Sequence, residues 1–209
     1  MMGVEAEIIA LAKTYATNLD KKVSERMLEM EEDGNDHYLI YKALGVSEKE
    51  GKQIDLFQNK GRFLYKYVGS FMEQATILCL KNKFSSASTV KVKNNLGSRP
   101  KTFEIDCLVN DQDAFEIKWR DATTDGDHIN KEHTRLRVIA SYGYKPIRLM
   151  FFSPLRGQAI KIQKKLRSIY EDEGGRFYEA QEAWNFIHQY TDTNLKLIVT
   201  KLATEIFDG

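Results

Sequence analysis

The stretch from Phe103 to Arg120 limits the possible folds more tightly than any other part of the chain. Phe103, Ile105, Cys107 and Val109 alternate with Glu104, Asp106 and Leu108; after a break, Phe115, Ile117 and Trp119 alternate with Glu116, Lys118 and Arg120. Alternation of period two marks a half-buried β-strand, because successive side chains leave opposite faces of the pleat. The break, Asn110-Asp111-Gln112-Asp113, is made of turn formers. The two runs therefore read as an antiparallel hairpin in which Glu116 and Lys118 share a face.

A hairpin symmetric about Asp111 places Asp106 opposite Glu116, with Cβ atoms about 4.5–5.5 Å apart. Carboxylates that close repel by about 3 kcal/mol at an effective dielectric of about 20, more than the roughly 0.2–1 kcal/mol that a favourable cross-strand pair contributes. A divalent cation between them, the ammonium of Lys118, or carboxylates splayed into solvent would each relieve the repulsion.

Upstream the period is helical. Residues 4–32 carry Ile8, Leu11, Tyr15, Leu19, Val23 and Met27 at spacings of three or four. A short helix is expected at 38–44, ended by Gly45, and Ser47 with Glu50 forms a capping box that starts another. A longer helix is expected at 61–81 on the stripe Leu64, Val68, Phe71, Ala75 and Leu78, with Glu73 off that stripe. Residues 89–93 alternate as a strand, 95–100 form a turn, and the hairpin follows. A helix at 129–142, with Asp127 as N-cap and Gly143 as stop, leads to the apolar run 147–152 between Pro146 and Pro154, as in a strand buried on both faces of a parallel sheet. Residues 155–170 form a helix with a basic outer face, and two more helices, divided at 191–194, complete the chain. The central order is helix, three-strand meander, helix, strand, helix, an α/β (mixed α+β) arrangement. The expected division is an N-terminal helical region at 1–60, a core at 61–170, and C-terminal helices packed on the core at 171–209.

With 209 residues, 42% hydrophobic and 29% charged, the composition suits an ordinary globular domain with a helical appendage and excludes disordered and fibrous classes. No apolar run approaches about 18 residues and no signal-like start is visible, so a cytoplasmic protein without membrane association is expected. Cys79 and Cys107 stand among apolar residues and read as small hydrophobes. The net charge of +1 conceals an asymmetry: Lys+Arg against Asp+Glu is 7 to 12 in residues 1–59, 21 to 10 in 60–170, and 3 to 8 in 171–209. The segments carry −5, +11 and −5, and a basic centre around the hairpin fits a polyanionic partner such as nucleic acid.

An acidic residue two places before a lysine occurs at Asp20-Lys21-Lys22, Glu50-Gly51-Lys52 and Glu116-Ile117-Lys118, but only the third lies on an alternating strand with an aspartate across a hairpin. Asp106, nine residues, then Glu116-Ile117-Lys118, in the order helix, three strands, helix, strand, resembles the PD-(D/E)XK nuclease superfamily, with Ile105 where a proline often precedes the aspartate. The longer string AFEIKWRDATTDGDHINKEHTRL, with YKPIRLMFF and the basic helix after it, resembles the ApaLI-like type II restriction endonucleases. That resemblance covers about residues 102–170, thins beyond Trp184 and does not reach the N-terminal third.

The resemblance implies Mg²⁺-dependent hydrolysis of phosphodiester bonds at a short palindromic site in double-stranded DNA, by a homodimer in a bacterial cell, with no small-molecule cofactor. It implies that Asp106, Glu116 and the carbonyl of Ile117 hold Mg²⁺, that Lys118 positions and helps deprotonate the attacking water, and that Glu73 adds an acidic side chain. The donor chemistry agrees, since hard oxygen ligands without a Cys or His cluster suit Mg²⁺ rather than zinc. Arg120, Thr123 and Thr124, in the loop after the active strand, are expected to contact bases, and Lys91, Lys93, Arg99 and Lys101 to contact phosphates. Asp125 and Asp127 are expected to make Asx turns and a cap. A structure-selective nuclease of the junction-resolvase type would share the site. A non-catalytic, sequence-specific DNA-binding regulator would use the N-terminal helices and leave Asp106, Glu116 and Lys118 without a purpose.

Overall fold

The computed structural model describes residues 3–207. The chain divides into two compact units, Ala10–Phe71 and the remaining described residues. The first is helical, drawn from α1 (Val4–Glu32), α2 (Tyr38–Ala43) and α3 (Glu48–Lys83). Ser47 Oγ accepts the Glu50 N–H at 3.2 Å, as half of a capping box does. From there α3 runs 36 residues without a break, where two helices were expected. Gly51 and Gly61 do not end it, because an interior glycine costs only about 1 kcal/mol relative to alanine. Tyr15 meets Tyr67 and Phe71 edge-on, each pair with ring centroids 6.1 Å apart.

The second unit is built on a five-stranded mixed sheet in the order β1 (Ser88–Lys93), β2 (Thr102–Val109), β3 (Asp113–Lys118), β4 (Lys145–Met150), β5 (Arg176–Glu179). The first three strands are antiparallel, and β4 and β5 run parallel to β3. Helices α4 (Asp127–Ser141) and α5 (Gly157–Asp172) link the parallel strands, and α6 (Gln181–Thr191) and α7 (Leu195–Phe207) follow. The fold is the expected restriction-endonuclease-like α/β arrangement. β5 escaped the sequence reading because four residues are too few to show a period.

Two local features position the site. Asn110 and Asp111 close the β2–β3 hairpin with φ of 53° and 51°, a left-handed pair that Asn and Asp tolerate. Between the rungs Ser88–Leu108 and Val90–Ile105, one residue of β1 opposes two of β2, Asp106 and Cys107. This bulge shifts the alternation, so Leu108 joins Phe103, Ile105, Ala114, Val138 and Ile139 in one core cluster, and Cys107 and Val109 leave the face on which the simple pattern placed them. A second cluster joins Met150 and Phe177 to Leu136, Ile162, Leu166 and Tyr170.

Gly175, at the entry to β5, is fixed by close approach, since an added Cβ would land on the Pro146 carbonyl oxygen and 3.0 Å from that of Tyr170. Gly175→Ala should lower stability by about 1–3 kcal/mol in urea unfolding. Gly157→Ala, with nothing within 4 Å of the new carbon, should stay within about 0.5 kcal/mol of the natural protein.

Candidate active site

The β2–β3 ladder pairs Val109 with Asp113, Leu108 with Ala114 and Cys107 with Phe115, so the next rung in register is Asp106 opposite Glu116. There the ladder gives way to a side chain: Asp106 Oδ2 accepts the Ile117 N–H at 2.7 Å. Lys118 Nζ lies 2.6 Å from Glu116 Oε1, and Arg135 Nη2 pairs with Glu116 Oε2. Two cations thus flank Glu116, one from its own strand and one from α4.

Asp106 shows what remains of the repulsion. Burial, and then the charge of Glu116, push its carboxyl up to about 7, against the opposing pull of Lys118, the Ile117 N–H and Arg135. Burial works against the Lys118 ammonium, but Glu116 and Asp106 outweigh it and hold the lysine above its ordinary value. Glu73, half-buried on α3, is raised by burial, lowered by Lys118, and raised again by Glu116 and Glu104. Its side chain therefore belongs to the same electrostatic neighbourhood. The two cysteines are buried and free, with thiols pushed by burial to about 12 and about 11, which leaves them unreactive.

Behind Glu116 lies a cluster of buried charges. Arg135 Nη1 lies 3.2 Å from Glu132 Oε1, and Arg148 Nη1 lies 3.3 Å from the same oxygen. The Tyr170 hydroxyl donates to it at 2.8 Å. Arg148 Nη2 reaches Asp121 Oδ2 at 2.6 Å, and His128 Nε2 lies 3.2 Å from that atom. Burial would raise Asp121, but His128, Arg148 and the Thr123 N–H hold it well below the ordinary carboxylate range. Arg148 is fully buried in the middle of β4.

The loop after β3 is ordered by short side-chain-to-backbone bonds. The Thr123 N–H donates to Asp121 Oδ1 (3.1 Å), the Asp125 N–H to Thr123 Oγ1 (3.3 Å) and the Asp127 N–H to Asp125 Oδ1 (3.0 Å). Asp125, not Asp127, thus supplies the side-chain oxygen at the start of α4, because the helix begins at Asp127, two residues earlier than the sequence pattern suggested. Asp121 points inward to Arg148 and is withdrawn from any base, whereas Thr124 is exposed and Arg120 lies over the Trp119 ring at 4.8 Å. Lys93 pairs with Thr102, and Lys118 with Met150, so the turn 94–101, the loop 119–126 and the segment 151–156 all leave one end of the sheet. Arg99 and Lys101 sit on that turn and Lys93 at its start, all exposed. Lys91 pairs across the strands with Glu104 at 3.2 Å.

Residues 1–204 match the family profile of the ApaLI-like restriction endonucleases. The chain belongs to that family. It is therefore a restriction endonuclease of type II, with DNA as its substrate, and the match extends through the N-terminal third, well beyond the 102–170 segment that carried the resemblance. No curated protein and no solved structure matches it. No helix among the described residues is long and apolar enough to cross a membrane.

Endonucleases of this kind typically use a divalent metal ion. Among the described residues no three His, Cys, Asp or Glu side chains converge as a metal cluster. Mg²⁺ does not need three, since one or two carboxylates commonly hold it, with water and substrate phosphate completing the shell. Asp106 and Glu116 are an all-oxygen pair, and the Asp106 carboxyl is raised first by burial and then by the charge of Glu116, the part that a cation would offset. Sequence reasoning missed Glu132, Arg135 and Arg148. The usable signal was charge at core positions: Glu132 and Arg135, three apart on α4, share a flank with Leu136 and Ile139, and Arg148 interrupts an apolar strand.

Proposed function

We propose that this endonuclease is a Mg²⁺-dependent homodimer that hydrolyses one phosphodiester bond in each strand of a short palindromic site in duplex DNA. The observation that carries the reading is the convergence of Asp106, Glu116 and Lys118, with the Asp106 carboxyl held up to about 7 by burial and by Glu116. Asp106, Glu116 and the Ile117 carbonyl are the groups that would hold Mg²⁺. Bound there, the ion would lower the pKa of a coordinated water and offset charge on the scissile phosphate.

Glu116 is held in place by Arg135, so that its Oε1 edge, now facing Lys118, is the edge available to an ion. Lys118 is kept as an ammonium by its acidic neighbours, so it orients the attacking water and stabilises charge on the phosphoryl oxygens as a donor. An ion held by Asp106 and Glu116 would weaken the acidic pull that raises Lys118, so the lysine would also help take the water's proton as attack begins. Glu73 is the additional acidic group within reach of the same field. Attack forms a P–O bond to the water oxygen and breaks the bond to the 3′ oxygen. Arg120, Thr123 and Thr124 are assigned to bases, and Lys91, Lys93, Arg99 and Lys101 to phosphates, from the shared end of the sheet.

Digestion of DNA of known sequence, with fragment ends mapped, tests the reading. Discrete fragments with Mg²⁺ and none in excess EDTA are expected, and full cutting in EDTA would overturn it. The +11 central segment further implies that non-specific DNA binding weakens steeply with added salt. Sedimentation should show a dimer, free or on DNA; a monomer under both conditions, or salt-indifferent binding, would count against the homodimeric, phosphate-gripping form.

A further inference from the structure

An unbroken line of ion pairs runs from Glu116 to the loop after β3. Arg135 joins Glu116 to Glu132, Arg148 joins Glu132 to Asp121, and Asp121 holds the Thr123 N–H. The intermediate side chains are sealed from solvent: Arg135 is 8% exposed, Glu132 6% and Arg148 0%. Buried ion pairs of this kind are often replaceable by apolar residues without loss of stability, so stability alone does not explain their presence.

We propose that this line couples sequence recognition to cleavage, with Arg135, Glu132 and Arg148 as positioning residues that make the placement of the Glu116 carboxylate depend on how Asp121 holds the loop 119–126. The inference rests on the proposed roles of that loop at the bases and of Glu116 in the chemistry. Glu132 Oε1 is the hub. One oxygen faces Arg135, Arg148 and the Tyr170 hydroxyl within 3.3 Å, so neither arginine shifts without disturbing the other. The loop end differs from the rest of the line in access, Glu116 being as buried as Arg135. Thr124 and Asp125 are exposed where DNA would meet the loop, whereas Glu132 and Arg148 are closed to DNA and can only pass on a displacement. A mismatched base that lifts the loop draws Asp121 from Arg148, frees Arg148 from its place at Glu132, and loosens the grip of Arg135 on Glu116.

Asp121→Asn removes the charge facing Arg148 while leaving an oxygen for the Thr123 N–H, and Tyr170→Phe removes one donor from Glu132 without changing charge. Once the natural enzyme has defined its site, single-turnover cleavage is measured at that site and at sites with one base pair changed. DNA binding without metal and thermal unfolding are recorded alongside. Asp121→Asn should reduce the ratio of cognate to changed-site cleavage by about tenfold, within the usual range for coupled sites. The double variant should lose less than the product of the single losses. An unchanged ratio with both rates falling together, or losses that multiply, would overturn the coupling. Should Asp121→Asn fail to fold, Tyr170→Phe alone must lower the ratio, and an unchanged ratio there overturns it equally. If the natural protein cuts DNA and the ratio stands, only the coupling falls; if it does not cut at all, the proposed chemistry falls and the coupling with it.

Discussion

Asp106→Asn should make the metal-free protein more stable at pH 8 while abolishing its cleavage of DNA. The Asp106 carboxyl titrates at about 7 in the folded chain, against about 3.9 for an unperturbed aspartate. Between those values the native state binds the proton that the unfolded state has lost, so stability falls as pH rises. The contribution of the protonated carboxyl is complete below about pH 4 and gone above about pH 7. At roughly 1.4 kcal/mol per pH unit the loss is about 4 kcal/mol at most. Asparagine keeps the acceptor for the Ile117 N–H and carries no charge toward Glu116. Unfolding measured from pH 4 to 8 in EDTA should therefore show the two proteins converging at low pH and separating in favour of the variant at high pH. Asp121 and Glu132, whose carboxyls are held low, favour the opposite slope, but they are common to both proteins and drop out of the difference. A variant no more stable than the natural protein at pH 8 would show that burial and Glu116 do not load Asp106 as described.

Lys118→Ala should lower single-turnover cleavage by about 10²–10³-fold, the usual cost of removing one preorganised donor from a transition state. The side chain lies 2.6 Å from Glu116 and stands only about a third exposed, so its loss removes a directed charge rather than a solvated one. Lys118→Arg restores charge but spreads it over a planar fork, and should recover only part of the rate. DNA binding by Lys118→Ala should remain close to that of the natural enzyme, because the cations assigned to phosphates lie on the β1–β2 edge. A rate within threefold of the natural enzyme would remove Lys118 from the chemistry.

The hairpin announced itself because its partners are local: alternation and a symmetric turn fix which residues face each other, and the observed rungs keep that register. The buried strand β4 was equally legible from its apolar run between prolines. The bulge at Asp106 and Cys107 was not, because a bulge is a relation between two strands, and the apolar–polar order of residues 103–109 carries no mark of where the facing shifts. Neither was the partner of Glu116. The sequence pattern offered a cation, Lys118 or solvent as relief for the carboxylate pair, and the second cation proved to be Arg135, nineteen positions away on a helix. Its charge is balanced through Glu132, Arg148 and Asp121, contacts made only when α4 packs against the sheet. Glu73 stood off the apolar stripe of its helix, which left a surface residue and a cleft residue indistinguishable until α3 was placed beside the hairpin.

Whether Asp106 and Glu116 share an ion is tested most directly by DNA binding as a function of Mg²⁺ or Ca²⁺, at one fixed ionic strength, in Asp106→Asn and Lys118→Ala. With Lys118 gone both carboxylates remain, and tight sequence-specific binding should still require the metal to bring them and a phosphate together. With Asp106 neutralised the repulsion is relieved without an ion, so specific binding should persist and depend much less on added metal. Equal metal dependence in the two variants would contradict a shared ion.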